Sequence, residues 1–114
     1  MGETRSDILQ GTLDLMVLRT LDLMGPQHGY GLALRIEQVS EGALLVNQGT
    51  IYLCLLRLVQ RGWITADWGR SDNNRRAKYY EISRAGRKQL RAETENWDRI
   101  SGVMAKLLKP EGGR

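Results

Sequence analysis

The pattern of apolar residues predicts a mostly helical α+β chain, a winged helix-turn-helix continued by a long C-terminal helix. Three observations carry the prediction. Three segments with helical spacing lie between Thr12 and Gly62, an alternating stretch runs from Trp63 to Ser83, and one long helical pattern runs from Arg84 to Leu108. A boundary at Ser83 divides the 114 residues into a winged unit, 1–83, and a terminal helix with its tail, 84–114.

Thr12 is placed to cap the first helix, and Asp14 falls in its first turn, where the helix dipole favours an acid. Leu13, Met16, Val17, Thr20, Leu21 and Met24 recur at helical spacing until Gly25-Pro26 stops the run, and Ile8 and Leu9 add a short turn ahead of it. So apolar a helix belongs in the core or at a subunit interface. Gly29-Tyr30-Gly31 opens the second helix, which buries Tyr30, Ala33, Leu34 and Ile36 and runs to about Ser40. Ala43 to Val46 reads as a link with the makings of a small strand. The third helix starts at Asn47-Gln48-Gly49-Thr50, capped by Asn47 or Thr50, with Ile51, Leu55, Leu58 and Val59 inward and Gly62 as a left-handed stop.

The period then changes from helical to alternating. Trp63–Trp68 and Lys78–Ser83 read as strands, the first with Ile64, Ala66 and Trp68 on one face. Between them lies a polar loop, 69–77, so the pair forms a hairpin with a long basic tip. Ser83 caps the last helix, in which Leu90, Trp97 and Met104 fall seven apart and Glu93, Ile100 and Leu107 supply the partner positions. That seam asks for a partner surface, either a second copy or the helix's own domain. Leu13, Val17, Leu90, Trp97, Ile100, Met104 and Leu107 are the candidate dimerisation residues. Pro110 to Arg114 reads as a frayed tail.

Charge is distributed unevenly. Residues 1–49 carry three arginines against six acids, net −3, whereas residues 50–91 carry ten Lys or Arg against three acids, net +7; the whole chain is +4. A basic middle segment is expected of a polyanion-facing surface, or of a solvated basic one. Cys54 is the sole cysteine, which excludes an internal disulfide or a multi-cysteine metal site. It reads as a buried filler, and His28 as a turn or capping residue. No nucleophile–base pair, paired carboxylates or phosphate loop appears, so neither an enzyme nor a cofactor or metal is expected. Acids and an arginine interrupt the apolar stretch around Leu13–Met24, which excludes a membrane span, and the N-terminus lacks the pattern of a signal peptide, which points to the cytoplasm.

In a winged helix-turn-helix the third helix enters the major groove and the hairpin reaches backbone or minor groove. Projection at about 100° per residue puts Leu53, Leu56, Arg57 and Gln60 opposite the core stripe of that helix. Gln48, Thr50 and Tyr52 stand near its N-terminal end, where hydroxyls and free N–H groups meet phosphates. Arg57 is a candidate for a phosphate or a guanine edge, and Arg70, Arg75, Arg76 and Lys78 are candidates from the wing. Thr50 has an alternative role as a cap, and Tyr52 as packing against the wing. An outward leucine pair on such a helix points either to thymine methyls or to a protein partner, the latter making the chain an interaction module without DNA binding.

Gly11-Thr12-Leu13-Asp14-Leu15, His28-Gly29-Tyr30-Gly31, Gln48-Gly49-Thr50-Ile51-Tyr52, Arg61-Gly62-Trp63-Ile64 and Asn73-Asn74-Arg75-Arg76-Ala77-Lys78-Tyr79-Tyr80 appear in this order, followed by Ser83-Arg84-Ala85-Gly86-Arg87. The ordered set resembles the PadR family of bacterial transcriptional regulators over about residues 8–108, including a subgroup common in acidobacteria. The resemblance implies a homodimer built through the first and last helices, repression by operator binding, and DNA contacts from Tyr30, Thr50, Tyr52, Arg75, Arg76 and Lys78. It also implies that a flat aromatic effector can bind at the dimer interface, with Trp97 a candidate to stack on it or to serve as plain dimer packing. Two positions depart from the family: Leu53 replaces the usual proline, and Leu56 a polar or basic residue.

Overall fold

A computed structural model describes residues 2–109, with side chains from residue 11 onward. The order of elements is α1 (Gly2–Met24), β1 (Gln27–His28), α2 (Gly29–Val39), α3 (Gln48–Gln60), β2 (Ile64–Arg70), β3 (Arg76–Ile82) and α4 (Arg84–Leu108). The three strands form one antiparallel sheet in the order β1-β3-β2. This is the winged helix-turn-helix that the sequence predicts, with three differences in detail.

The first difference is at the start. α1 begins at Gly2, so Thr12 lies inside the helix instead of capping it. Its inward line is Leu13, Val17, Leu18 and Leu21, whereas Met24 is 47% exposed. Helix α2 is turned relative to expectation. Leu32, Ala33 and Ile36 are buried, while Tyr30 and Leu34 look outward. The turn follows from Gly29, which begins the helix against Ile51 and Leu55 of α3 and sets the line 29, 32, 33, 36 toward the core.

The second difference concerns strands. Ala43 to Val46 is irregular, and the third strand is instead Gln27–His28, which pairs with Tyr80 and Tyr79 and occupies the free edge of β3. The link after α2 turns through Glu41 and Gly42, both at positive φ (54° and 82°). Ser40 Oγ then accepts the Leu44 N–H at 3.0 Å, and Leu44 and Val46 pack on the core without pairing.

The third difference is in the wing. Its strands reach Arg70 and Arg76, leaving a tip of only five residues, 71–75. Ser71 N–H donates to the Arg75 carbonyl at 2.8 Å, Asn74 N–H to the Ser71 carbonyl at 2.8 Å, and Asn74 takes φ 64°. Asn tolerates that conformation better than most residues with a side chain.

Ile51, Cys54, Leu55 and Leu58 form the inward face of α3, with Cys54 where the sequence predicts Val59, which is 37% exposed. These residues meet α1, α2, Ile64, Tyr80, Ile82 and Leu90 in one core. Asn47 is the cap of α3, accepting the Thr50 N–H at 2.8 Å, and Gly62 ends the chain's third helix at φ 76°. Ser83 caps α4. Leu13 and Val17 are 5% and 0% exposed inside their own chain, and Leu90 is 5% exposed. None of the three is open to a partner chain, which corrects their assignment to a dimer interface. No helix among the described residues is long and apolar enough to cross a membrane. The Pro110–Arg114 tail lies outside the described residues, as do the side chains of Ile8 and Leu9.

Candidate nucleic-acid interface

An open groove of about 1,100 Å³ runs between α2, the N-terminal end of α3 and the wing. The alternation of the hairpin builds one wall. Cross-strand partners share a face of the sheet, and the pairs are Ile64–Ile82, Ala66–Tyr80, Trp68–Lys78 and Arg70–Arg76. Near the base this face is buried in the core; beyond the core's edge it continues into the groove as Trp68, Lys78 and Arg76. Asp67 and Glu81 alternate onto the other face. The result is a groove wall richer in cations than the wing's composition alone implies.

Trp68 organises that wall. Its ring lies 4.3 Å from the Arg76 guanidinium and 5.6 Å from the Lys78 ammonium, so one exposed aromatic holds two cations by cation–π attraction. The Tyr79 hydroxyl donates to the Arg70 carbonyl at 2.8 Å, and Arg70 donates to the Asn74 carbonyl at 3.2 Å. The tip therefore presents Arg75 on a hydrogen-bonded turn. Sequence reasoning passed over Trp68 as a site residue. The usable signal was its place opposite Lys78 once the hairpin register is drawn.

The opposite wall comes from α2. His28 caps that helix, with Nδ1 accepting the Gly31 N–H at 3.0 Å, and its ring meets Tyr79 edge-on at 5.4 Å. The cap sets Tyr30, 64% exposed, at the head of the helix, with Arg35 and Gln38 further along the same wall. The capping role predicted for His28 is the one it has. Gln48 and Tyr52 line the groove from α3, Tyr52 being 56% exposed beside Tyr80. Burial, and then the neighbouring Tyr52, push the Tyr80 phenol above its ordinary value. Of the predicted contact residues, Tyr30, Gln48, Tyr52, Arg75, Arg76 and Lys78 converge on this groove. Thr50 is exposed in the first turn of α3 and donates its backbone N–H to the Asn47 cap.

Arg57 does not join them. Its Nη2 lies 2.7 Å from Asp14 Oδ1 on α1, with the two side chains 24% and 15% exposed. The same oxygen accepts the Cys54 thiol at 3.1 Å. Asp14 is thus a tie between α1 and α3, in place of the first-turn acid that the sequence predicts, and Arg57 faces α1 instead of standing outward. Burial first, then the hydrogen bond and charge of Asp14, hold the Cys54 thiol protonated and unreactive. Cys54 is the buried filler expected. Among the described residues no group of three or more His, Cys, Asp or Glu side chains is placed to hold a metal ion.

A helix-turn-helix whose third helix and basic hairpin border one cationic groove defines the winged-helix class of regulators. The sequence pattern of the PadR-like family of transcriptional regulators matches residues 17–92, and the chain belongs to that family. A transcriptional regulator from Clostridium thermocellum has a similar structure, with TM-score 0.80 and 26% identity, covering 90% of this chain and 96% of that one. A PadR-like transcriptional regulator from Bacillus cereus matches with TM-score 0.79 and 28% identity over 92% of this chain and 99% of that one. An uncharacterised protein of Lysinibacillus sphaericus is 27% identical over 100 residues, 88% of this chain and 91% of its own length.

Proposed function

We propose that the chain is a sequence-specific DNA-binding regulator of transcription that acts in the cytoplasm as a homodimer and represses by occupying a roughly palindromic operator. The observation that carries this reading is the placement of Arg75, Arg76 and Lys78 on the wing, across the groove from Tyr30 and the N-terminal end of α3. Phosphates accept hydrogen bonds from such groups and from a helix N-terminus. In a two-fold dimer, two α3 helices would enter major grooves about 34–36 Å apart. The unpartnered apolar stripe of α4 supports the dimer. Trp97, 50% exposed on that stripe, is the residue offered to a flat aromatic effector.

The test is fluorescence anisotropy with duplex from upstream of the protein's own gene against scrambled duplex, across a salt series. Preference for the upstream duplex at physiological salt is expected. Arg75→Ala with Arg76→Ala is expected to weaken binding to both duplexes and to reduce the log–log salt slope by about 2, since each phosphate contact contributes close to one. An unchanged slope removes the wing from the mechanism. A second reading, a protein-interaction module without DNA binding, is favoured by one observation: Leu53 and Leu56 stand outward on α3, 58% and 39% exposed. Loss of partner binding in Leu53→Asp with Leu56→Asp, in a protein that binds no duplex even at low salt, would establish it.

A further inference from the structure

The outermost line of α3 is Gly49, Leu53, Leu56 and Gln60, all exposed and none charged. Arg57 is the sole cation in the helix, and its guanidinium is held 2.7 Å from Asp14 on α1. The middle of α3 therefore offers a surface two leucines long and no formal charge. Around it cations predominate: Arg61 follows the helix directly, and Arg35, Arg75, Arg76 and Lys78, all exposed, line the groove from α2 and the wing, with Asp72 the one acid among that groove's lining residues. A small apolar centre with a cationic surround complements a polyanion that carries apolar points between its rows of phosphates. In the major groove of duplex DNA the apolar point is the C5-methyl group of thymine.

We infer that Leu53 and Leu56 are the base-reading residues of α3 and select thymine through its methyl group, so that the half-site under this helix is rich in A·T pairs. The inference rests on the DNA-binding reading above. It assigns selectivity to apolar contact in α3 and affinity to the cations of the wing. The Asp14 tie draws the Arg57 guanidinium toward α1 and so disfavours arginine–guanine pairing from the middle of the helix. Burying one methyl group corresponds to roughly fourfold in affinity.

The experiment enriches duplexes from a randomised pool with the full-length protein, then replaces thymine by deoxyuridine, one position at a time, in the enriched sequence. Deoxyuridine keeps every hydrogen-bonding group and removes only the methyl. The expected result is about fourfold weaker binding at one or two positions per half-site. It is accompanied by equal binding of both duplexes by Leu53→Ala with Leu56→Ala. Both substitutions shorten exposed side chains and spare the core, and unchanged far-UV circular dichroism verifies the fold. Deoxyuridine duplexes that bind the unsubstituted protein as tightly as thymine duplexes overturn thymine reading and leave DNA binding intact. Deoxyuridine that weakens the alanine variant as much as the unsubstituted protein overturns the assignment to these leucines. No enrichment at low salt overturns DNA binding and thymine reading together, and turns the leucine face over to a protein partner.

Discussion

Between Arg84 and Arg91, helix α4 is gripped by the winged unit, with Gly86 and Leu90 buried. Between Trp97 and Leu108 the same helix shows its apolar side to the surroundings, with Trp97 50%, Ile100 47%, Met104 45% and Leu107 69% exposed. One heptad line runs through both halves, since Leu90, Trp97 and Met104 fall seven apart. What differs is whether the chain folds anything against that line. The molecule extends 58 Å in one direction against 29 and 24 Å in the others, and a 25-residue helix is about 38 Å long. A winged unit of this size covers the helix for two turns and then runs out. The half that stays uncovered is the half that the proposed second copy would cover, and the difference separates residues that fold the chain from residues proposed to assemble it.

The largest expected effect tests that separation at the distal half. Trp97→Asp with Met104→Asp puts carboxylates into the proposed seam of both copies. Each side chain is about half exposed in one chain, so covering the rest is worth about 1 kcal/mol. The four of them, two from each copy, give about 4 kcal/mol, and the dimer constant should weaken roughly a thousandfold. Light scattering should then report the mass of one chain, 12.9 kDa, at concentrations where the unsubstituted protein is expected to report twice that mass. The winged unit should stay folded, because its buried residues all come from within one chain. A double variant that remains dimeric would mean that another surface joins the copies.

The proximal half breaks differently. A Cβ built on Gly86 falls on the carbonyl oxygen of Trp63 and crowds Ile82. That carbonyl also accepts the Ser83 N–H at 3.0 Å, so the helix cannot back away without losing a bond at its own start. Gly86→Ala should cost about 3 kcal/mol, the upper part of the range for overpacking. Denaturant unfolding at fixed protein concentration measures it. A cost below about 1 kcal/mol would show that α4 is not seated as tightly against Trp63 and Ile82 as that close approach requires.

Much of this division was legible in the sequence. The cap at Ser83, both ends of α4 and its heptad line follow from local patterns, because capping and periodicity act within a few residues. The close approach of Gly86 to Trp63 was not legible, since it joins positions far apart in sequence. The same limit explains Arg57. Its spacing on α3 projects it outward, and the acid that draws it toward α1 is Asp14, 43 positions away in sequence. In the groove, Arg75, Arg76 and Lys78 were found through clustered charge. Trp68 was passed over because only the hairpin register puts its ring between two cations. For Tyr30 the helical pattern predicts core and the resemblance implies a DNA contact; the structure puts it on the groove wall.

The smallest effect sharpens the comparison at its hinge. Ser83 Oγ accepts the Gly86 N–H at 3.0 Å and donates to the Gly62 carbonyl at 2.7 Å, so one hydroxyl caps α4 and ties it to the end of α3. Ser83→Ala removes both bonds, and loss of a serine cap typically costs about 1 kcal/mol. Ser83→Asp keeps an acceptor for Gly86 but cannot donate to Gly62, since an ionised carboxylate only accepts. If the cap carries the effect, Asp should recover most of the stability lost in Ala, measured by denaturant midpoint. If the tie to α3 carries it, Asp should be no better than Ala, because a carboxylate beside the Gly62 carbonyl adds repulsion to the missing bond. In either case association through Trp97 and Met104 should be unchanged, as a hinge that only seats the proximal half has no contact with the distal one.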